Sequence, residues 1–188
     1  MTRRLFVSVD LPPALTEPVA EVQSTFSAAS GLRFTDPEQT HVTVKFLGDV
    51  EESRRPTLER ELRAAIEDSG VEPFTARFTG LGVFPSLEYI SVVWLGVAEG
   101  TDSLTRLHEA IEDRTTSIGF EPESHEFTPH VTLARMEHAG GKELVQDLVR
   151  NREPTVGEAR VEEVRLTEST LTESGPVYST VERFPLEE

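Results

Sequence analysis

One four-residue pattern occurs twice in this chain, as His41-Val42-Thr43-Val44 and as His130-Val131-Thr132-Leu133, roughly half a chain apart in 188 residues. β-branched and apolar neighbours make each copy read as a strand, in which residues i and i+2 share a face. Each copy therefore presents an imidazole and a hydroxyl side by side. Two such strands at half-chain separation constrain the fold to two similar lobes, each bringing one arm to a shared cleft. Two histidines facing each other there form an acid–base pair.

The rest of the composition narrows the setting. No apolar run approaches the roughly 18 to 20 residues of a membrane span, so no membrane association is expected. The opening Met1-Thr2-Arg3-Arg4 leads into Leu5 to Val9, which Asp10 and Pro12 stop short of a secretory apolar region. With no cysteine, disulfides and thiolate chemistry are excluded, and the expected address is cytoplasmic. Thirty-four acidic residues against eighteen basic ones give a formal charge of −16, and Lys45 and Lys142 are the only lysines. Acidic excess with so few lysines points to a halophilic, high-salt surface, where carboxylate repulsion is screened. A chain this acidic repels nucleic acid outside a local basic site, so any RNA contact is expected to be short and confined to one cleft.

Read in order, Arg4 to Asp10 alternates as a strand, and Leu15, Val19, Val22 and Phe26 give helical spacing from Pro13 to about Ser30. A linker with Asp36 and Pro37 precedes the strand His41 to Leu47, and Gly48-Asp49 reads as a turn. Leu58, Leu62, Ala65 and Ile66 place a helix from about Ser53 to Ser69. Pro73 to Phe84 and Tyr89 to Val97 read as a hairpin around Pro85 and Ser86, followed by a helix from Ser103 to about Ser117. Glu126 to Arg135 reads as the second motif strand, Lys142 to Asn151 as a short helix, and Thr155 to Phe184 as two or three strands. Strands interspersed with helices and hairpins make an α+β chain, with residues 1–188 as a single bilobal domain.

Beside the histidines, Thr43 and Thr132 are suited to donate hydrogen bonds to phosphate oxygens. Lys45 continues the parity of His41 and Thr43, whereas Arg135 has the opposite parity to His130 and reaches the cleft only if the strand bulges or ends near Ala134. A phosphate site in so acidic a chain needs a cation, which favours Arg135. His108 reads as a helix-face residue. No HExxH motif or acidic triplet accompanies His125 and His138, so neither a metal nor a cofactor is expected. Phe46, Phe84 and Trp94 are able to stack a nucleobase, although core packing is the usual fate of such strand residues.

The flanking text resembles the 2H phosphoesterases, and among them the archaeal and bacterial RNA 2',3'-cyclic phosphodiesterases, once described as 2'-5' RNA ligases. The resemblance runs through Arg4-Leu5-Phe6-Val7-Ser8-Val9-Asp10-Leu11-Pro12, His41 to Gly48, Gly82-Val83-Phe84-Pro85, Val93 to Val97, Phe127 to Arg135 and Gly175-Pro176-Val177-Tyr178. It implies a bilobal, LigT-like α+β fold with two pseudo-symmetric lobes around a central cleft. It also implies hydrolysis of 2',3'-cyclic phosphate ends to 2'-phosphates without metal. By motif, His41 becomes the proton donor to the leaving 3' oxygen and His130 the acceptor from water, while Thr43, Thr132 and Arg135 bind the substrate. RNA 3' ends or small cyclic nucleotides are the implied partners, and a monomer is expected. The same residues also suit a 2'-5' RNA ligase, an enzyme of another cyclic or 2'-5' linked nucleotide, or a non-catalytic RNA-end binding module.

Overall fold

Among the described residues, nine antiparallel strands join into one continuous sheet, in the order β7-β4-β5-β6-β3-β1-β8-β9, with β2 pairing to β6 off that path. The computed structural model describes residues 1–187. The strands are β1 (Thr2–Asp10), β2 (Leu32–Phe34), β3 (His41–Glu51), β4 (Phe74–Pro85), β5 (Ile90–Glu99), β6 (His130–Met136), β7 (Thr155–Val161), β8 (Glu163–Thr172) and β9 (Gly175–Pro185). The helices are α1 (Thr16–Ser24), α2 (Arg55–Ser69), α3 (Thr101–Ser117) and α4 (Lys142–Asn151). No helix among the described residues is long and apolar enough to cross a membrane.

Helix packing divides the sheet into two lobes. The helices α2 and α3 pack on each other and on β3 and β9, with α3 also reaching β5, while α1 and α4 cover β4, β6 and β7. The spacing of Leu58, Leu62 and Ala65 on α2 and of Leu104, Leu107 and Ile111 on α3 puts each set on one helix face, and all six are fully buried. Gly70 ends α2 in the left-handed conformation that its missing Cβ allows. Between the lobes, β3 and β6 meet through one pair, Val42 opposite Val131. The two His-x-Thr strands are thus the seam of the molecule, and each histidine begins its strand.

Both motif strands then bulge at the same place. Against β1, Lys45 lies opposite Val7 and Thr43 opposite Ser8, so Val44 is the extra residue. Against β5, Ala134 lies opposite Val93 and Thr132 opposite Trp94, so Leu133 is extra. A bulge exchanges the two faces of the strand beyond it. Accordingly Val42, Val44 and Lys45 are buried and Phe46 is exposed, while Val131, Leu133 and Ala134 are buried and Arg135 is exposed. Each bulge is held by a side chain from a helix. The His108 Nδ1–H of α3 donates to the Val44 carbonyl at 2.7 Å, and the Gln23 amide of α1 donates to the Leu133 carbonyl at 3.1 Å.

These bulges correct the expectation for Lys45, which leaves the face of His41 and Thr43 and is 1% exposed. They also place Arg135 on the face of His130. Gly48 is not in a turn but inside β3, with φ +75 at a further bulge where Leu47 has no partner. The presumed linker before Asp36 contains β2, and the first helix is shorter than its periodicity suggests, with a 3-10 turn at Pro13–Leu15 ahead of α1. Residues 126–129 lie outside β6, where Pro129 has no N–H to give a ladder.

Candidate active site

The seam gives both imidazoles the same local anchor. Each Nδ1 lies beside the carbonyl of the residue two positions earlier, Gln39 for His41 at 3.0 Å and Thr128 for His130 at 2.7 Å. A carbonyl only accepts, so Nδ1 carries the hydrogen in both rings and Nε2 is left as the working nitrogen. The His41 Nε2 is 3.1 Å from Thr43 Oγ1, as their shared strand face requires. Gln39 also ties this arm to β9, its amide donating to the Pro176 carbonyl and its Oε1 accepting from the Tyr178 N–H.

Aromatic rings fix the remaining freedom of each imidazole. His41 lies 4.9 Å from Phe6 and edge-on to Tyr178 at 5.1 Å. His130 is edge-on to Phe84 at 4.9 Å, with Trp94 at 5.9 Å behind it. Trp94 occupies the space a side chain at position 82 would need, since a Cβ on Gly82 would stand 2.2 Å from its ring. Between Phe46, Phe84, Pro85 and Phe127 opens a cleft of about 440 Å³ that reaches Thr43 and His130. Phe46 is 61% exposed at this cleft, against the expectation that it joins the core.

One wall of the cleft is the segment between α3 and β6, and Lys45 is its anchor. The Nζ donates to Glu112 Oε2 of α3 at 3.0 Å and to the Glu121 carbonyl at 2.6 Å. Glu112 Oε1 in turn accepts the Glu123 N–H at 2.9 Å, and the Phe127 ring stacks flat on His108 at 4.2 Å. The segment so held ends at Thr128, whose carbonyl aims His130. The sequence carries no signal for Gln39, Gln23 or Glu112, which act through backbone carbonyls and a cation far away in the chain.

The electrostatics of the two histidines differ. Burial pushes His41 below the ordinary histidine value, opposed by the Gln39 carbonyl and by the Asp10 carboxylate. Asp10 sits opposite His41 across β1 and β3 and is held by Ser8 and Arg165. Burial also lowers His130, opposed by the Thr128 carbonyl, and the positive charges of His41 and Arg135 lower it further. Burial raises the Tyr178 phenol, with Arg135 acting against it, so Arg135 acts on both walls of the seam. As a chemical arrangement, two imidazoles with the Thr43 hydroxyl and the Arg135 charge near them are able to give and take protons at one seam.

The lowered histidines make stability depend on pH. An imidazole with a depressed folded-state pKa binds its proton more readily in the unfolded chain, so stability is complete above the unfolded value of about 6.5 and is lost as pH falls. The melting temperature is expected to fall between about pH 6.5 and pH 5, and the double substitution His41→Gln, His130→Gln to flatten that slope. A double variant whose melting temperature follows the wild-type slope over this window contradicts the assignment.

Known proteins resemble this chain in sequence and in fold. The family model described as 2'-5' RNA ligase superfamily matches residues 11–173. A protein of Methanothermobacter thermautotrophicus named RNA 2',3'-cyclic phosphodiesterase is 36% identical over 188 residues, spanning 99% of this chain and 100% of that one. One of the same name from Archaeoglobus fulgidus is 34% identical over 182 residues, spanning 96% and 99%. Among solved structures, TT0787 of Thermus thermophilus superimposes with a TM-score of 0.79 at 30% identity, covering 97% of each chain. The E. coli LigT structure with 3'-AMP gives 0.82 at 23% identity over 100% of both, a likeness of fold.

Proposed function

Since this chain belongs to the 2'-5' RNA ligase superfamily, we propose that it hydrolyses 2',3'-cyclic phosphate ends of RNA to 2'-phosphates by metal-independent acid–base catalysis. The observation that carries the reading is the matched pair of imidazoles at the seam, each with Nδ1 fixed on a backbone carbonyl, which leaves Nε2 as the nitrogen for proton transfer. The names of the relatives support the same substrate.

In this reading His130 Nε2 takes a proton from water as the water oxygen attacks phosphorus. The bond from phosphorus to the 3' oxygen breaks, and His41 Nε2 gives that oxygen its proton, leaving a 2'-phosphate and a 3'-hydroxyl. Attack and departure on opposite sides of phosphorus need groups on opposite walls, which two lobes supply. The charges support this division of roles, because Asp10 favours a protonated His41 while Arg135 favours a neutral His130. Thr43, Thr132 and Arg135 meet the non-bridging oxygens, where donors stabilise growing charge. Phe46 and Phe84 face the cleft as stacking surfaces for the terminal base.

The test is a short RNA with a 2',3'-cyclic phosphate end, incubated with the protein in EDTA. The expected product has gained one water and carries a phosphatase-sensitive terminal phosphate that co-migrates with the authentic 2'-phosphate. A 3'-phosphate product, or turnover that needs an added divalent ion, contradicts the proposal.

A further inference from the structure

Building on the cyclic-phosphate reading, we propose that Arg33 forms a second anion subsite beside Arg135, which takes the phosphodiester one step 5' of the cyclic end. The strand β2 has three residues, and its pairing with β6 sets Arg33 directly opposite Arg135. Opposed residues point to one face, with Cβ atoms about 4.5 to 5.5 Å apart. The bulge at Leu133 has already put Arg135 on the face of His130, so Arg33 shares the active-site face.

Two arginines in this relation repel each other, and the chain has acidic residues in excess to relieve them. It does not use them fully. Arg135 has no ion pair or side-chain hydrogen bond among the described residues, and Arg33 has one ion pair, with Glu137 at 3.7 Å, in which both side chains are more than half exposed. Such a pair contributes little, which leaves the guanidinium fork of Arg33 open.

An RNA strand supplies what this pair lacks, namely consecutive phosphates joined through one ribose, each able to accept a guanidinium fork. With Arg135 at the cyclic phosphate, Arg33 meets the next phosphate along the strand. The ligand class is therefore an oligoribonucleotide end in preference to a lone cyclic nucleotide. This contact is short and local, as a chain of charge −16 requires of any RNA site.

The experiment compares kcat/KM for a 2',3'-cyclic mononucleotide and for a dinucleotide ending in that same nucleotide, at low KCl. The wild type is expected to prefer the dinucleotide, and Arg33→Gln to reduce that preference about tenfold. Rising KCl is expected to shrink the preference. A wild type without preference, or an Arg33→Gln protein that keeps the full preference, overturns the subsite and leaves the phosphodiesterase reading standing. If Arg33→Gln fails to fold, a wild-type preference that does not shrink as KCl rises overturns it equally. Turnover of neither substrate overturns both.

Discussion

Replacing either seam histidine by alanine is expected to lower kcat for cyclic-phosphate hydrolysis by about 10²- to 10⁴-fold, the usual contribution of a positioned general acid or base. Both residues serve one proton circuit, so the double variant is expected to lose little beyond the worse single variant. Folding is expected to survive, because His41 and His130 are only half-buried and their rings pack against aromatics that stay in place. Binding of a 2'-phosphate product is expected to stay within a few-fold of wild type, since Thr43, Thr132 and Arg135 remain. Rate measurements with product titration on the three variants check this. A single variant that keeps more than a tenth of the wild-type rate removes its histidine from the chemistry, and an unsubstituted protein that binds the RNA end without turning it over favours an RNA-end binding module.

The second large effect concerns the buried cation. Glu112→Gln takes the near charge away from Lys45, whose side chain is 1% exposed, while the carboxylate it loses is 21% exposed. Breaking a buried pair costs about 3 to 5 kcal/mol. Here the Glu121 carbonyl and Glu123, at 2.6 Å and 3.9 Å, still face the ammonium, so a loss of about 2 to 3 kcal/mol is expected. Lys45→Met removes the charge itself, leaves Glu112 partly hydrated, and is expected to cost under about 1 kcal/mol. The double variant is then more stable than Glu112→Gln alone. Denaturant titration of the three proteins decides it, and a Glu112→Gln protein within about 0.5 kcal/mol of wild type would show that the pair does not hold the wall.

The sequence makes the seam legible because its signal is local and doubled. A histidine and threonine two residues apart need only the period of a strand to share a face, and the helices announce themselves through Leu58, Leu62, Leu104 and Leu107. Beyond the motif, periodicity fails at the bulges. Lys45 counts as a cleft residue and Phe46 as core only while the alternation runs unbroken, and Val44 breaks it in favour of the reverse. The text gives no sign of that break, since its support, His108, lies more than sixty positions away on α3. Arg135 is readable conditionally, the condition being a bulge near Ala134, and the bulge lies at Leu133. The three residues of β2 are too few to show a period and sit beside Asp36 and Pro37, which speak for a loop. Glu126 to Pro129 misleads in the other direction, its extended character coming without strand pairing. Hydrogen bonds made through backbone carbonyls, from Gln23 to Leu133, from Gln39 to Pro176 and from His130 to Thr128, leave no periodic trace.

The central claim is that the two half-chain motifs form one acid–base pair acting across a single phosphate, and the pH dependence of kcat/KM tests it most directly. Measured on cyclic-phosphate RNA in EDTA, this ratio reports the free enzyme's ionisations. Burial lowers both histidines, so the expected profile is a bell whose maximum lies on the acid side of about pH 6.5, the ordinary histidine value. The two limbs belong to the pair as a whole, and His130→Ala is expected to remove the bell along with the rate. A profile that is flat from pH 5 to about pH 8, or one that rises without a descending limb through that range, would contradict a pair of histidines sharing one proton transfer.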